Sequence, residues 1–333
     1  MSDQAIFTED FKTSPYWWDD APPETCRDPL PAEADIVIVG SGFAGLNAAI
    51  ELARHGKKVV VLEANELGSG GSTRTGGMIS SGQKLVVGGA IKGIDPELFQ
   101  RMIADSIASF AFIQALVERE QLDADLFISG RYFGAHTQKQ LASLYKMGDI
   151  LHRVTGVTVH NIDRSNQDAI IGSTFYHGGI LVDEYGGVHP GKYNRALREL
   201  ARKLGAQLFS HARVTGVTQQ LSHKTVLTER GSLRAQQVIF LTNGYTDSKA
   251  TPRLAQRIVP VKSYQIATEP LPAELIARLI PSGRMITDSR RDLIYTRPSP
   301  DGTRLLFGSR PGIMDCDDKT AARRIRKRML AIW

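Results

Sequence analysis

VGSGFAG, Val39 to Gly45, sets three glycines within seven residues, directly after the apolar run DIVIV, Asp35 to Val39. A continuous apolar run of strand length reads as a strand covered on both faces, the pattern of a buried parallel sheet. Past Gly45 the period changes: Leu46, Ala49, Ile50 and Ala53 fall on one helix face, and Gly56 stops the helix. KKVVVLEA, Lys57 to Ala64, is a second strand. Strand, glycine turn, helix and strand in about thirty residues make a β-α-β unit, which closes as a right-handed crossover.

The glycines have separate tasks. Gly40 permits the tight turn, Gly42 lets the backbone approach a pyrophosphate, and Gly45 lets helix and strand pack closely. Backbone amides at the helix start, at the positive end of its dipole, hold phosphate. Glu63 closes the second strand about 23 residues after Gly40, where a carboxylate accepts hydrogen bonds from a ribose diol and opposes a 2′-phosphate. A dinucleotide carrying adenosine follows. NELGSGGSTRTGGMISSGQ, Asn65 to Gln83, then decides between FAD and NAD. So many small residues suit a backbone pressed against a large planar ligand and a ribityl-phosphate chain, hence FAD; the bland account is a flexible surface loop.

With 333 residues, 42% hydrophobic and 23% charged, the chain reads as an ordinary globular protein. A net charge of +6 is spread along it, apart from ARRIRKR, Ala322 to Arg328, which reads as the solvated face of a helix. We therefore expect no nucleic-acid partner; the contrary reading, DNA bound through this helix, predicts steeply salt-dependent binding. Cys26 and Cys316 fit neither a disulfide framework nor a zinc site, and no metal is expected. The chain starts without a signal-like segment, and no run approaches the roughly 18 apolar residues of a membrane span. The expected location is the cytoplasm.

Residues 1–33 read as an arm anchored by SPYWW, Ser14 to Trp18. Residues 96 to 120 carry a helical stripe of Phe99, Met102, Ile103, Phe110, Ile113, Leu116 and Val117, which reads as core. After GGVHPG, Pro190 opens a helix with Leu197, Leu200, Ala201 and Leu204 inward, followed by strands in AQLF and ARVTGV. A hairpin within Thr225 to Gly244 feeds a buried strand ending at Asn243 and Gly244, and the strand-like pieces after residue 250 suit an antiparallel sheet. The expected fold is α/β. A Rossmann-like FAD-binding domain (34–90 and 185–250) interleaves with an α+β substrate domain (91–184 and 251–333) on a mainly antiparallel sheet.

IVIVGSGFAGLNAAIELARHGKKVVVLEA, GSGGSTRTGG, GGVHPGKYNRALRELARKLGA, ARVTGV, LTNGYT and RRDLIYTRPSPDGTRLLFGSR together resemble the FAD-dependent oxidoreductases of the D-amino-acid oxidase superfamily. SPYWWDDAPP resembles the arm of its gamma-glutamylputrescine oxidoreductase branch. The resemblance implies that Gly40, Gly42 and Gly45 bind the FAD pyrophosphate and Glu63 the adenosine ribose. It puts Ser72, Arg74, Gly76 and Gly77 beside the ribityl chain and ring, with Thr75 where the family often has Asn, which changes one polar contact. The backbone of Val214 is then expected at the adenine, and Asn243 and Gly244 near the phosphates. The implied reaction oxidises a carbon–nitrogen bond of an amine or amino acid, with a gamma-glutamylputrescine-like substrate favoured and oxygen or another acceptor reoxidising the flavin.

Substrate contacts are expected from Tyr295 and Arg297, at i and i+2 on one strand face, and from Arg310. No catalytic residue is assigned. His177 and His189, in glycine-rich turns, read as structural, and Cys316 does not match a covalent flavin link. In DDKTAARRIRKRMLAIW, Asp317 and Asp318 cap a helix with Ile325, Met329 and Ile332 on one face. Because members of the superfamily continue past this helix, the chain reads as C-terminally truncated, with an exposed Ile and Trp at its end and open sheet edges. The alternative to an active enzyme is thus a non-catalytic nucleotide-binding remnant.

Overall fold

A computed structural model describes residues 6–82, 93–310 and 316–333. Residues 1–5 of the expected arm, Gln83, the expected domain limit at 90 and 91, and residues 311–315 lie outside the described residues.

The first apolar run forms β1 (Glu33–Val39), the glycine turn enters α1 (Phe43–Arg54), and the second run forms β2 (Val59–Leu62), parallel to β1. Side chains alternate across a pleated strand. Ile36, Ile38, Val59 and Val61 therefore enter one core with α1, while Val37, Val39, Val60 and Leu62 enter another on the opposite face. Burial on both faces is why these strands carry no polar alternation.

A 3-10 turn, Gly71–Arg74, and β3 (Met78–Ile79) precede the long helix α2 (Pro96–Arg119). Asp95 caps α2 by accepting from Leu98 N at 2.9 Å, and Pro96 occupies the first turn, where its missing N–H costs nothing. Ile103 and Leu116 of the expected stripe are buried, with Phe99, Ile113 and Val117 packed beside them. Then come β4 (Phe127–Ile128), β5 (Arg131–Gly134), α3 (Gln138–Thr155), β6 (Val159–Asp163), β7 (Gly178–Val182) and β8 (Gly186–Gly187). Next, α4 (Pro190–Lys203) is capped by His189, whose Nδ1 accepts from Lys192 N at 3.1 Å. This histidine is structural.

β9 (Gln207–Phe209) joins β2, and β10 (Val214–Gln219), β11 (Lys224–Thr228) and β12 (Gly231–Phe240) form a meander. Gly231–Ala235 of β12 pairs antiparallel with β11, and Arg234–Phe240 pairs parallel with β1. The sheet order is β10-β11-β12-β1-β2-β9. Val214, Val226 and Leu233 of the meander fill the second core, against Val37, Val60 and Leu62. The meander thus covers the face of the parallel strands that α1 and α4 do not.

A short helix α5 (Pro252–Ala255) leads to β13 (Tyr264–Ala267), α6 (Ala273–Leu279), β14 (Met285–Asp288), β15 (Tyr295–Pro298) and β16 (Leu305–Ser309). The second sheet runs β13-β16-β15-β14-β5-β7-β6, antiparallel throughout except where β14 meets β5. A small sheet, β3-β8-β4, ties the glycine-rich loop to the chain between the larger sheets through the pairs Met78–Gly187 and Phe127–Gly187.

α7 (Asp318–Met329) is capped by Asp317, which accepts from Thr320 N at 2.9 Å. The expectation of an exposed apolar end is overturned. Ile325 and Ile332 are 0% and 4% exposed within the core of the second sheet. Trp333 lies edge-on to Phe307 and donates from Nε1 to the Leu279 carbonyl at 3.2 Å, because the chain turns after Met329 and tucks against α6. Arg324 and Lys327 of the basic run face solvent. Among the described residues no helix is long and apolar enough to cross a membrane.

Candidate functional site

The turn between β1 and α1 is built from contacts that exclude side chains. Gly40 has φ +109°, and a Cβ on it would lie 2.7 Å from the carbonyl oxygen of Leu241, just past β12. A Cβ on Gly45 would lie 1.9 Å from the Gly40 carbonyl oxygen. Gly42 is the N-cap of α1 and offers the helix amides no side chain; Ser72 Oγ comes in instead and accepts from Phe43 N at 3.0 Å. First-turn amides lack intrahelical partners and sit at the positive end of the dipole, a geometry that suits an anion.

Glu63 leaves β2 beside this turn. Its carboxylate accepts from Ser41 N at 3.1 Å, from Ser41 Oγ at 2.8 Å and from Asn65 N at 3.2 Å. Ala212 N donates to the Glu63 carbonyl at 2.8 Å, which brings the buried start of β10, Val214, into the same neighbourhood. Asn194 of α4, fully buried, donates from Nδ2 to the Ser41 carbonyl at 3.2 Å. Asn243, with φ +46°, and Gly244 form a turn after β12, where Leu241 N donates to the Val39 carbonyl at 2.9 Å. Motifs some 200 residues apart therefore meet at the carboxyl ends of β1, β2 and β12, where α/β sheets bind nucleotides.

A cleft of about 1700 Å³ opens beside the turn after β12; Gly40, Gly42, Gly45, Glu63, Ser72 and Val214 are not among its lining residues. Arg74, Gly76 and Gly77 line it from the glycine-rich loop, Asn243 and Gly244 from the turn after β12, and Tyr295 from the second sheet. The Tyr295 ring is wedged between two glycines: a Cβ on Gly76 would lie 3.0 Å from it and a Cβ on Gly308 only 2.0 Å. Its hydroxyl meets Ser263 Oγ at 3.0 Å. Burial holds that hydroxyl protonated above the usual phenol range, against the opposing Ser263 hydrogen bond and Arg310 charge. Arg310 itself is exposed, immediately after β16.

Arg297 is a correction. Its i, i+2 spacing does place it on the face of Tyr295, but the long side chain runs behind the cleft wall and is 3% exposed. The guanidinium lies 4.5 Å over Phe127 and 5.6 Å over Trp17, and donates to the Val188 carbonyl at 3.2 Å. Burial lowers its pKa to about 10, so it stays charged at neutral pH. It braces the wall and does not line the cleft.

Sequence reasoning missed three groups here. Arg131 of β5 lines the cleft, 5.4 Å over the Tyr185 ring, and burial lowers its pKa to about 10. The signal was a lone charge in a strand buried throughout, RYFG. Asp288 accepts from Arg290 Nε at 2.5 Å; burial pushes its carboxyl up and Arg290 opposes the shift. The third is the pair of indoles in the arm, seen in the sequence only as an apolar anchor. Among the described residues no group of three or more His, Cys, Asp or Glu is placed to hold a metal ion.

The family model described as FAD dependent oxidoreductase, DAO, matches residues 35–333. The chain belongs to this FAD dependent oxidoreductase family. Among curated relatives it is 30% identical over 306 residues to the probable oxidoreductase OrdL of Haemophilus influenzae, covering 90% of this chain and 69% of that protein. It is 29% identical over 300 residues to gamma-glutamylputrescine oxidoreductase of Escherichia coli, covering 90% of this chain and 69% of that protein. The crystal structure of glycine oxidase from Geobacillus kaustophilus superposes with a TM-score of 0.70 at 20% identity, covering 91% of this chain and 78% of that one.

The residues of this FAD dependent oxidoreductase fit the dinucleotide. A helix start whose N-cap is glycine, glycine contacts that no Cβ fits, and a carboxylate on the neighbouring strand suit a pyrophosphate and a ribose. The cleft exceeds the roughly 300–1,000 Å³ of ordinary small-molecule pockets. Glu63→Ala tests the fit. A hydrogen bond to a charged group is worth about 1.5–3 kcal/mol, so titration of the apoprotein with FAD is expected to give a dissociation constant about ten- to a hundredfold higher. An unchanged constant would remove Glu63 from the site.

Proposed function

We propose that this flavoenzyme oxidises a carbon–nitrogen bond of an amine or amino acid, with a gamma-glutamylputrescine-like amine as favoured substrate. One observation carries the reading: a single cleft is faced by the glycine-rich loop on one side and by Tyr295 and Arg131 of the second sheet on the other. Gly40, Gly42, Gly45 and Glu63 hold the pyrophosphate and ribose of FAD, Val214 the adenine, and Asn243 and Gly244 the phosphates. Ser72, Arg74, Gly76 and Gly77 border its ribityl chain and ring. Bound FAD supplies the two-electron acceptor, and the imine product hydrolyses in water.

The chain's own part is to position the amine and exclude solvent. The protonated Tyr295 hydroxyl donates a hydrogen bond to substrate, and Arg131 and Arg310 offer positive charge to an anionic group on it. The likeness to gamma-glutamylputrescine oxidoreductase supports an amine. The two sheets support a cofactor domain of 34–90 and 185–250 interleaved with a substrate domain of 91–184 and 251–333. Free Cys26 and Cys316 agree with a cytoplasmic location.

The test is the visible spectrum of the FAD-loaded chain under anaerobic conditions. Gamma-glutamylputrescine is expected to bleach the flavin band, putrescine and glycine to do so less readily, and glycerol 3-phosphate to leave it unchanged. Bleaching by glycerol 3-phosphate alone would replace the amine with an alcohol. Readmitting air then reports the acceptor, since oxygen consumption accompanies recovery of the band only if oxygen serves.

A further inference from the structure

Tyr16–Trp18 of the arm form a short 3-10 turn against the glycine-rich loop. Trp17, 2% exposed, donates from Nε1 to the Thr75 carbonyl at 2.8 Å, and Trp18 donates from Nε1 to Thr73 Oγ1 at 3.0 Å. Thr73 Oγ1 in turn donates to the Gly68 carbonyl at 2.6 Å. The Arg74 guanidinium lies 4.5 Å over the Trp18 ring while donating to the Ser69 carbonyl at 3.0 Å. Two adjacent indoles thus hold three consecutive loop residues.

The arm is fixed at both ends. Trp17 lies edge-on to the buried His189 at 4.7 Å, and Arg195 donates to the Asp20 carbonyl at 3.0 Å. At the other end, Phe7 stacks under Arg323 of α7 at 5.3 Å. Thr8, Asp10 to Trp17 and Asp19 of the arm line the same cleft, while Trp18 does not. The loop needs outside support, because Gly70, Gly71, Gly76 and Gly77 flank the held residues and glycine loses more backbone freedom on ordering than any other residue.

We propose that Trp17 and Trp18 are positioning residues for the cofactor, clamping Thr73–Thr75 so that the loop presents one fixed surface to FAD. They act through the loop, by the hydrogen bonds that their indole N–H groups donate to Thr75 and Thr73. The proposal rests on the cofactor reading of that loop.

Trp17→Phe and Trp18→Phe keep an aromatic ring and delete the N–H. Trp333→Phe is the control, since it deletes the indole N–H that meets Leu279 on the second sheet. In the full chain, amide exchange of residues 69–77 is expected to quicken about tenfold in the two arm variants, with FAD affinity about tenfold weaker, the scale of one lost hydrogen bond. The flavin band is expected to shift, and the control to lose thermal stability comparably while keeping wild-type affinity and loop exchange. Unchanged loop exchange in both arm variants would overturn the proposal. Equal loss of FAD affinity in the control would also overturn it, because affinity would then merely follow stability. If the wild-type chain took up no FAD, the cofactor reading would fall, while loop exchange would still judge the clamp.

Discussion

Gly45→Ala is expected to purify colourless, where the wild-type chain carries flavin absorption. The added methyl carbon would sit 1.9 Å from the Gly40 carbonyl oxygen, and both partners are backbone, so neither rotates away. Gly40, at φ +109° with the Leu241 carbonyl oxygen 2.7 Å from where a Cβ would lie, has no slack to give. Overpacking of this kind costs about 1–3 kcal/mol or more. Here it moves the helix start proposed to face the pyrophosphate, together with Ser41 and its bonds to Glu63. FAD affinity is expected to fall at least about a hundredfold, read by titration and by the flavin content of the purified protein. Gly56→Ala is the control: nothing lies within 4 Å of its added Cβ, so its φ of +72° costs only about 1–2 kcal/mol of local strain. Full flavin occupancy in Gly45→Ala would refute the account of the turn.

The second large effect is expected from Gly308→Ala. Its methyl carbon would enter the Tyr295 ring at 2.0 Å, and the ring's escape route is closed by Gly76 on the glycine-rich loop. Tyr295 must leave, breaking its contact with Ser263 and pressing on the loop. The expected outcome is a loss of about 2–3 kcal/mol in denaturant unfolding and about a hundredfold slower flavin reduction by amine. Adding Tyr295→Ala removes the clash, so the double variant is expected to regain most of the stability but little of the rate. Additive stability losses would show that the two residues do not share this space.

The β-α-β unit was legible because its determinants are local. Spacing fixes which glycine turns and which packs, and Glu63 lies one strand away. Long-range pairing was less legible. Nothing in the sequence marks that β14 lies parallel to β5, or that β12 divides its length between two partners. The SPYWW anchor was visible from composition, yet its hydrogen bonds reach residues more than fifty positions away. Arg297 shows the limit of face arithmetic: i, i+2 spacing places Cα atoms, but six bonds of arginine carried the charge behind the wall to Trp17 and Phe127. The end of the chain failed for a similar reason, since the groups that bury Ile332 and receive Trp333 belong largely to distant segments such as α6.

The split pairing of β12 also has a kinetic side. β1 is synthesised about 200 residues ahead of the strand that closes its edge, an interval of roughly 10–40 s on a ribosome working at ordinary speed. During that time β2 is the partner within reach, and the other edge of an apolar strand stays open to any passing β-segment. Nascent chains halted before Gly231 therefore keep one edge of β1 unpaired and prone to aggregation, and slower elongation through Val214–Phe240 lengthens their exposure.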